Sequence, residues 1–239
     1  DAFHAAIPVL SLAMAYKVER FQFEQVLAAY LGREPASLVL EGQVRRGDIV
    51  ARVAAVGFVD LRGFTDASER LSSNALLARL STFFEYVHTT VVRAGGEIIK
   101  FMGDGVLFII PDKGHPQQTC TRALEVVKGL KRAVAEHNAS TSDAPLRFGV
   151  GMHFGEMLYG NIGSPTRLDF TVLGPVVNLT SRLESLTGQL GEVCVVSETF
   201  AELTGRPHRL VGEFKLKGIK GMSQVFAPEF NPTDVEDDR

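Results

Sequence analysis

Phe58-Val59-Asp60-Leu61-Arg62-Gly63-Phe64-Thr65 closes a nearly unbroken apolar run that begins at Val53. Such a run reads as a strand covered on both faces, and Gly63 marks its turn into a helix. Further on, Lys100-Phe101-Met102-Gly103-Asp104-Gly105 sits between two more strand-like stretches, Glu97 to Phe101 and Val106 to Ile110. It reads as a hairpin turn, with glycines where positive φ is called for. Each Asp stands at the mouth of a predicted strand, where a carboxylate can reach a metal ion without being buried. Two such carboxylates suit a site that holds divalent ions at the attacking and leaving oxygens of a phosphoryl transfer. Each also has a plainer reading, Asp60 as a helix cap and Asp104 as a turn residue.

Outward from these two phrases, helical and strand-like segments alternate. Leu76, Leu80, Phe83, Val87 and Val91 recur at helical spacing within 73–92, as do Ala123, Leu124, Val127, Leu130 and Val134 within 116–138. A strand over 146–152 runs into a ribbon punctuated by Gly155, Gly160 and Gly163. A strand over 169–173 then precedes a helix over 175–186, with Pro175 suited to its first turn. Short strands follow over 193–196, 210–215 and 224–227. Hairpins mixed with crossover helices predict an α+β sandwich, a mainly antiparallel sheet packed by helices. Ahead of it, Phe23, Val26, Leu27, Tyr30 and Leu31 form one face of an amphipathic helix. Gly32 ends that helix, Pro35 opens a second short helical turn, and 42–48 is a charged connector. The apolar stripe has two candidate partners, the domain itself or a second copy of the chain. The expected organisation is a helical leader over 1–49, a main domain over 50–228 and an acidic, disordered tail over 229–239.

The 239 residues, 45% hydrophobic and 22% charged, suit one large globular domain with an appendage. A net charge of −3 argues against a nucleic-acid binder that gains affinity by neutralising phosphates. Cys120 and Cys194 lie in apolar contexts without C-x-x-C spacing and read as free core thiols of a reducing, cytoplasmic compartment. The histidines form no paired metal-ligand spacing, and His153, which follows a strand-like run and could line a site, reads more simply as a packed or solvated side chain. Ala5 to Ala15 is apolar but covers only about half of the ~20 residues a membrane span needs, and Pro8 interrupts it. No signal peptide is evident, and a chain that starts without Met is expected to be part of a longer one.

Asn178 and Arg182 lie four apart on the predicted 175–186 helix and so share a face. An amide to fix a ribose and a guanidinium to meet phosphate charge would fit there, although a polar helix surface would look the same. Asn178-Leu179-Thr180 and Asn138-Ala139-Ser140 also match glycosylation acceptors, against which the reduced thiols argue.

Together, Phe58 to Thr65, Lys100 to Gly105, and Leu168 to Asn178 with Arg182 resemble the class III nucleotidyl cyclase catalytic domain, in its order and spacing. The resemblance covers about residues 50–228. Tyr30-Leu31-Gly32-Arg33 and Gly42-Gln43-Val44-Arg45-Arg46-Gly47-Asp48 are similar to the signal-relaying segment that precedes many bacterial members. The resemblance implies a ferredoxin-like, palm-type sheet and an adenylyl cyclase that turns ATP into cyclic AMP and pyrophosphate. By it, Asp60 and Asp104 hold two Mg²⁺ or Mn²⁺ ions, and Lys100 and Thr171 read adenine. Asn178 orients the ribose, Arg182 meets transition-state charge, and Lys217 contacts the triphosphate, with Lys215 and Lys220 close by. Phe64 and Thr65 open the helix whose free N–H groups suit the phosphates. A homodimer with two sites across its interface and an upstream sensor are implied as well. One departure is Pro175, where many relatives carry Asp or Asn; it lies outside the catalytic set. No protein general base for the ribose hydroxyl is evident.

Three rivals stand beside this reading. Guanylyl cyclases typically carry Glu and Cys at the two base-reading positions. Gly95-Gly96-Glu97 echoes the signature of diguanylate cyclases, but here it opens a strand, and the Asn178 and Arg182 helix has no place in that alternative. A degenerate nucleotide-binding or dimerisation module usually loses a metal Asp or the arginine, and this chain keeps all of them.

Overall fold

The structure, a computed structural model, describes residues 2–43 and 45–230, without the side chains of residues 2–6 and 9. Val44 and residues 231–239 of the expected acidic tail lie outside the described residues. The sheet is built from β1 (Ile49–Leu61), β2 (Glu97–Met102), β3 (Gly105–Pro111), β4 (Phe148–Ser164), β5 (Arg167–Leu173), β6 (Cys194–Ser197), β7 (His208–Phe214) and β8 (Ser223–Pro228). The helices are α1 (Ala2–Leu31), α2 (Arg33–Leu40), α3 (Phe64–Arg70), α4 (Ser73–Arg93), α5 (Pro116–Ser140), α6 (Pro175–Leu190) and α7 (Glu198–Thr204). Strand order is β2-β3-β1-β4-β6-β8-β7, with β5 paired to β4. The β1–β3, β2–β3, β6–β8 and β7–β8 pairs are antiparallel, and β4–β6 is parallel. The expected mainly antiparallel α+β sheet is what the chain forms.

The chain divides into two compact units. The larger comprises Val50–Tyr159 and Val172–Arg239. Its core follows from the periodicities. Residues 105–110 are buried throughout, as a strand covered on both faces must be. Phe83, Val87 and Val91 of α4 and Ala123, Leu124, Val127, Leu130 and Val134 of α5 pack in one cluster with Val59, Phe108 and Ile110. Local chemistry sets the helix ends. The Ser72 hydroxyl accepts from the Ala75 N–H at the start of α4, and Pro116 opens α5. The Arg122 guanidinium donates to the Ala94 carbonyl beyond α4 and to the Pro111 carbonyl at the end of β3.

The smaller unit comprises Asp1–Ile49 with Gly160–Thr171. Asn161, 4% exposed, ties the connector down. Its side chain donates to the Gln43 carbonyl at 2.8 Å, its carbonyl accepts from Gly47 N–H at 3.0 Å, and its N–H donates to the Asp48 carbonyl at 3.0 Å. Beside it, a Cβ on Gly160 would meet the Asp48 carbonyl oxygen at 2.1 Å. Only glycine admits that approach.

Several sequence expectations change in extent. α1 runs unbroken through Pro8, which costs it one backbone hydrogen bond. The glycine-punctuated ribbon is one strand with the segment before it, because β4 continues to Ser164. α6 extends to Leu190 and ends on Gly191 at φ +69°. α7 was not anticipated, although Ser197 caps it by accepting from Phe200 N–H and Gly205 ends it at φ +60°. Of the leader stripe, Phe23, Val26 and Tyr30 stay open to solvent, at 56%, 54% and 87% exposed, while Leu27 and Leu31 are half-buried.

Candidate active site

Asp60 is the next-to-last residue of β1 and pairs in register with Gly105, the first residue of β3. A Cβ on Gly105 would sit 3.1 Å from Asp60 Oδ1, so the absence of a side chain leaves room for the carboxylate. Asp104 occupies the two-residue turn between β2 and β3, with Gly103 supplying φ +65° ahead of it. The Leu61 N–H donates to the Asp104 carbonyl at 3.3 Å, which ties the turn to the end of β1. The fold thus brings the two carboxylates together. Burial first, and then the charge of Asp104, pushes the Asp60 carboxyl up to about 6, while the Arg62 guanidinium pulls it back. Asp60 is not a helix cap. The residue ahead of α3 is Gly63, at φ +72°, and no side-chain capping bond is made there. Phe64 and Thr65 form the first turn of α3.

Lys100 lies on β2 opposite Leu107, just after a register shift at Ile98, and is half-buried. Thr171 lies in the smaller unit, buried on β5. Lys217 is exposed in the β7–β8 connection, as are Lys215 and Lys220, while Leu216 between them is anchored in a cluster with Leu183, Val195 and Val225.

α6 starts from Gly174 and Pro175 and buries Val176, Thr180, Leu183 and Thr187. It lies directly on β4. A Cβ on Gly151 would meet the Glu184 backbone nitrogen at 2.2 Å, and one on Gly149 would meet Thr187 Oγ1 at 2.2 Å. Asn178 and Arg182 are exposed on the helix's outer face. Glu184 comes about 200° round the helix from Arg182, at roughly 100° per residue. Its carboxyl is pushed up to about 7 by burial and then by the charge of Asp60, with Arg62 opposing.

Sequence reasoning did not single out Arg62 and Glu184. Arg62 stood in the quoted motif, but its electrostatic neighbour Glu184 is 122 positions away, and only the sheet brings them near. Of the two plain readings for His153, packed or solvated, the packed one holds. Its Nδ1 lies 2.6 Å from Ser197 Oγ, and burial lowers its pKa to about 4. Cys120 and Cys194 are buried free thiols. Gly95-Gly96-Glu97 leads into β2, where a Cβ on Gly96 would meet the Ile109 carbonyl oxygen at 2.6 Å and Glu97 accepts from the Tyr159 hydroxyl. Both sides of the Asn138 amide are bonded to the Leu146 backbone.

Among the described residues no group of three or more His, Cys, Asp or Glu could hold a metal ion. Two carboxylates are nonetheless a fitting donor set. Mg²⁺ keeps several waters and is commonly held by one or two carboxylates together with substrate phosphates. Burial is the larger cause of the raised Asp60 pKa, and the repulsion from Asp104, the lesser one, is what a divalent cation would relieve. No helix among the described residues is long and apolar enough to cross a membrane.

The family profile of the adenylate and guanylate cyclase catalytic domain matches residues 50–227. The chain belongs to this family, the class III nucleotide cyclases. It is similar to adenylate cyclase 1 of Rhizobium meliloti, at 31% identity over 77% of this chain and 29% of that protein. The adenylyl cyclase CyaB from P. aeruginosa superposes with a TM-score of 0.66 at 28% identity, covering 78% of this chain and 98% of that structure. The guanylyl cyclase Cya2 also superposes with a TM-score of 0.66, at 32% identity, covering 75% of this chain and 92% of that structure. The chain spans 31%, 10% and 29% of the length of the first three curated relatives it matches.

Proposed function

We propose that this chain is an adenylyl cyclase that converts ATP to 3′,5′-cyclic AMP and pyrophosphate at a site shared between two copies of itself. The substrate assignment rests on Lys100 and Thr171, which occupy the base-reading positions where guanylyl cyclases typically carry Glu and Cys. Lys100 donates towards adenine N1 and the Thr171 hydroxyl accepts from the 6-amino group, a pattern that guanine reverses. The Asn178 amide holds the ribose so that its 3′-oxygen lies in line with the α-phosphorus. Arg182 meets charge that develops on the phosphoryl oxygens only during transfer, so its loss lowers kcat more than it raises KM. Lys217 and the free N–H groups at the start of α3 hold the phosphates that leave. Two divalent ions, Mg²⁺ or Mn²⁺, held by Asp60 and Asp104 would supply Lewis-acid activation of the hydroxyl and neutralise the leaving pyrophosphate.

The shared site is supported by how α6 is used. It turns Glu184 towards the carboxylates of its own chain and presents Asn178 and Arg182 on the outer face. A second reading, guanylyl cyclase activity, is favoured by the likeness to the guanylyl cyclase Cya2. Incubating the purified chain with ATP and with GTP at saturating Mn²⁺, then separating products by chromatography, tests both. Equal amounts of cyclic AMP and pyrophosphate, formed faster than cyclic GMP, are expected. Faster cyclic GMP formation would replace ATP with GTP, and nucleotide binding without pyrophosphate release would leave a binding module.

A further inference from the structure

Arg62 and Glu184 have no part in the chemistry above, yet both are built into the ground beneath Asp60. The Arg62 N–H donates to the Arg147 carbonyl at 2.8 Å, which fixes the end of β1 beside the start of β4. Its guanidinium reaches on to the Glu192 carbonyl just past α6, at 2.5 Å, and Nη2 lies 3.2 Å from where a Cβ on Gly149 would stand. Glu184 is seated over Gly151, two residues further along the same face of β4. The two glycines are about 7 Å apart by strand geometry. β1, which ends in Asp60, is the neighbour of β4 in the sheet. Arg62, two residues on from Asp60 and so on the same face of the sheet, therefore shares with the Glu184 backbone the side of β4 that α6 covers. Both glycines are required there, since a Cβ at either would collide with α6.

We propose that Glu184 is a third carboxylate of the metal-binding centre, acting on the cations through its charge rather than as a ligand, with Arg62 as its fixed counter-ion. The inference rests on the metal-dependent cyclase reading above. Glu184 completes no three-ligand group with the two aspartates, so its influence is through space. Ionised, as a bound divalent cation would favour, it adds a negative charge in a half-buried setting, where solvent screens less than at an exposed surface. Arg62 subtracts part of that charge from both Asp60 and Glu184, consistent with its lowering effect on each. The pair sets how much negative potential the two aspartates offer a divalent ion, as groups around a metal site commonly do. Glu184 is a positioning residue in this sense and touches no reacting atom.

The test is Mn²⁺ binding to the full chain without nucleotide at pH 8, where Glu184 is ionised, read as free Mn²⁺ by electron paramagnetic resonance. It would compare the wild type with Glu184→Asp, Glu184→Gln, Glu184→Lys and, as control, Asp60→Asn, with circular dichroism to check folding. Glu184→Gln should weaken Mn²⁺ binding on the order of tenfold. Glu184→Lys should weaken it further, and Glu184→Asp should stay close to wild type. Arg62→Gln should move binding in the opposite direction. Should Glu184→Lys or Arg62→Gln fail to fold, the contrast between the Asp and Gln variants still decides. If Glu184→Gln binds Mn²⁺ as the wild type does while Asp60→Asn does not, the role of Glu184 is overturned and the metal reading stands. If Glu184→Asp loses as much as Glu184→Gln, shape rather than charge is at work and the proposal fails. A wild type that binds no Mn²⁺ removes the metal reading itself, and this inference with it.

Discussion

At Asp60 a half-buried carboxyl meets a second carboxylate across the mouth of a hairpin, and without a cation the arrangement is costly. The folded-state pKa values of Asp60, about 6 against an ordinary 3.8, and Glu184, about 7 against 4.5, are both raised. Between those limits the folded chain holds more protons than the unfolded one. Stability from these groups is therefore greatest below about pH 4, falls as pH rises, and is fully lost above about pH 7. Asp60→Asn should raise the melting temperature of the metal-free chain at pH 8, by about 2–4 °C for each kcal/mol of charge burial and repulsion relieved. The gain should shrink towards pH 4. A variant that melts below the wild type at pH 8, as calorimetry would reveal, contradicts the electrostatic account of the pair. The base-reading role proposed for Lys100 and Thr171 predicts a change of substrate. Lys100→Glu with Thr171→Cys should move the ratio of ATP to GTP turnover towards GTP, each good hydrogen-bonding match being worth about tenfold. A double variant that loses ATP activity with no relative gain for GTP would show that these two positions do not set the base.

Among the elements, the contact of α6 with β4 carries the most consequence, because that helix bears Asn178, Arg182 and Glu184. Gly151→Ala would place a Cβ 2.2 Å from the Glu184 nitrogen and 2.7 Å from the Thr180 carbonyl oxygen, both of them backbone atoms. The helix would have to lift. Urea unfolding should show a loss of at least 1–3 kcal/mol, roughly the cost of overpacking, with turnover falling too. Unchanged stability would mean that α6 does not press on the strand. This same contact shows where the sequence was legible. β1, the β2–β3 hairpin, α4 and α5 declare themselves through apolar runs and helical periodicity, signals contained in each segment. The two aspartates could be seen because each sits at a strand end marked by glycine. β4 was harder to see. Gly160 and Gly163 look like chain breaks, yet they are strand residues left bare because the carbonyls of Asp48 and Arg167 approach them closely. α7 has a capping serine and a terminal glycine but is only seven residues long, too short for periodicity to register. The Arg62 and Glu184 neighbourhood had no local signature, since its members meet only once the sheet has formed.

For the whole molecule, the proposed homodimer explains two features that a single chain leaves without a purpose. The leader stripe, with Phe23, Val26 and Tyr30 exposed, is an apolar face that a second copy would cover. The outward pair Asn178 and Arg182 would face the Asp60 and Asp104 of a partner. Two-fold symmetry then gives two sites, each with its carboxylates from one copy and its helix residues from the other. Turning one copy against the other through the leader helices would open or close both sites together.

Subunit mixing tests this central claim most directly. Asp60→Ala and Arg182→Ala homodimers should each be nearly inactive, since every site in them lacks an essential group. When the two are mixed and allowed to exchange, each heterodimer has one site carrying both lesions and one carrying neither. Cyclic AMP formation should return, at most about half of the wild-type rate per heterodimer by that symmetry. Fluorescently labelled subunits that demonstrably exchange while activity stays at the level of the separate variants would put each site within one chain, and the shared-site account would be wrong.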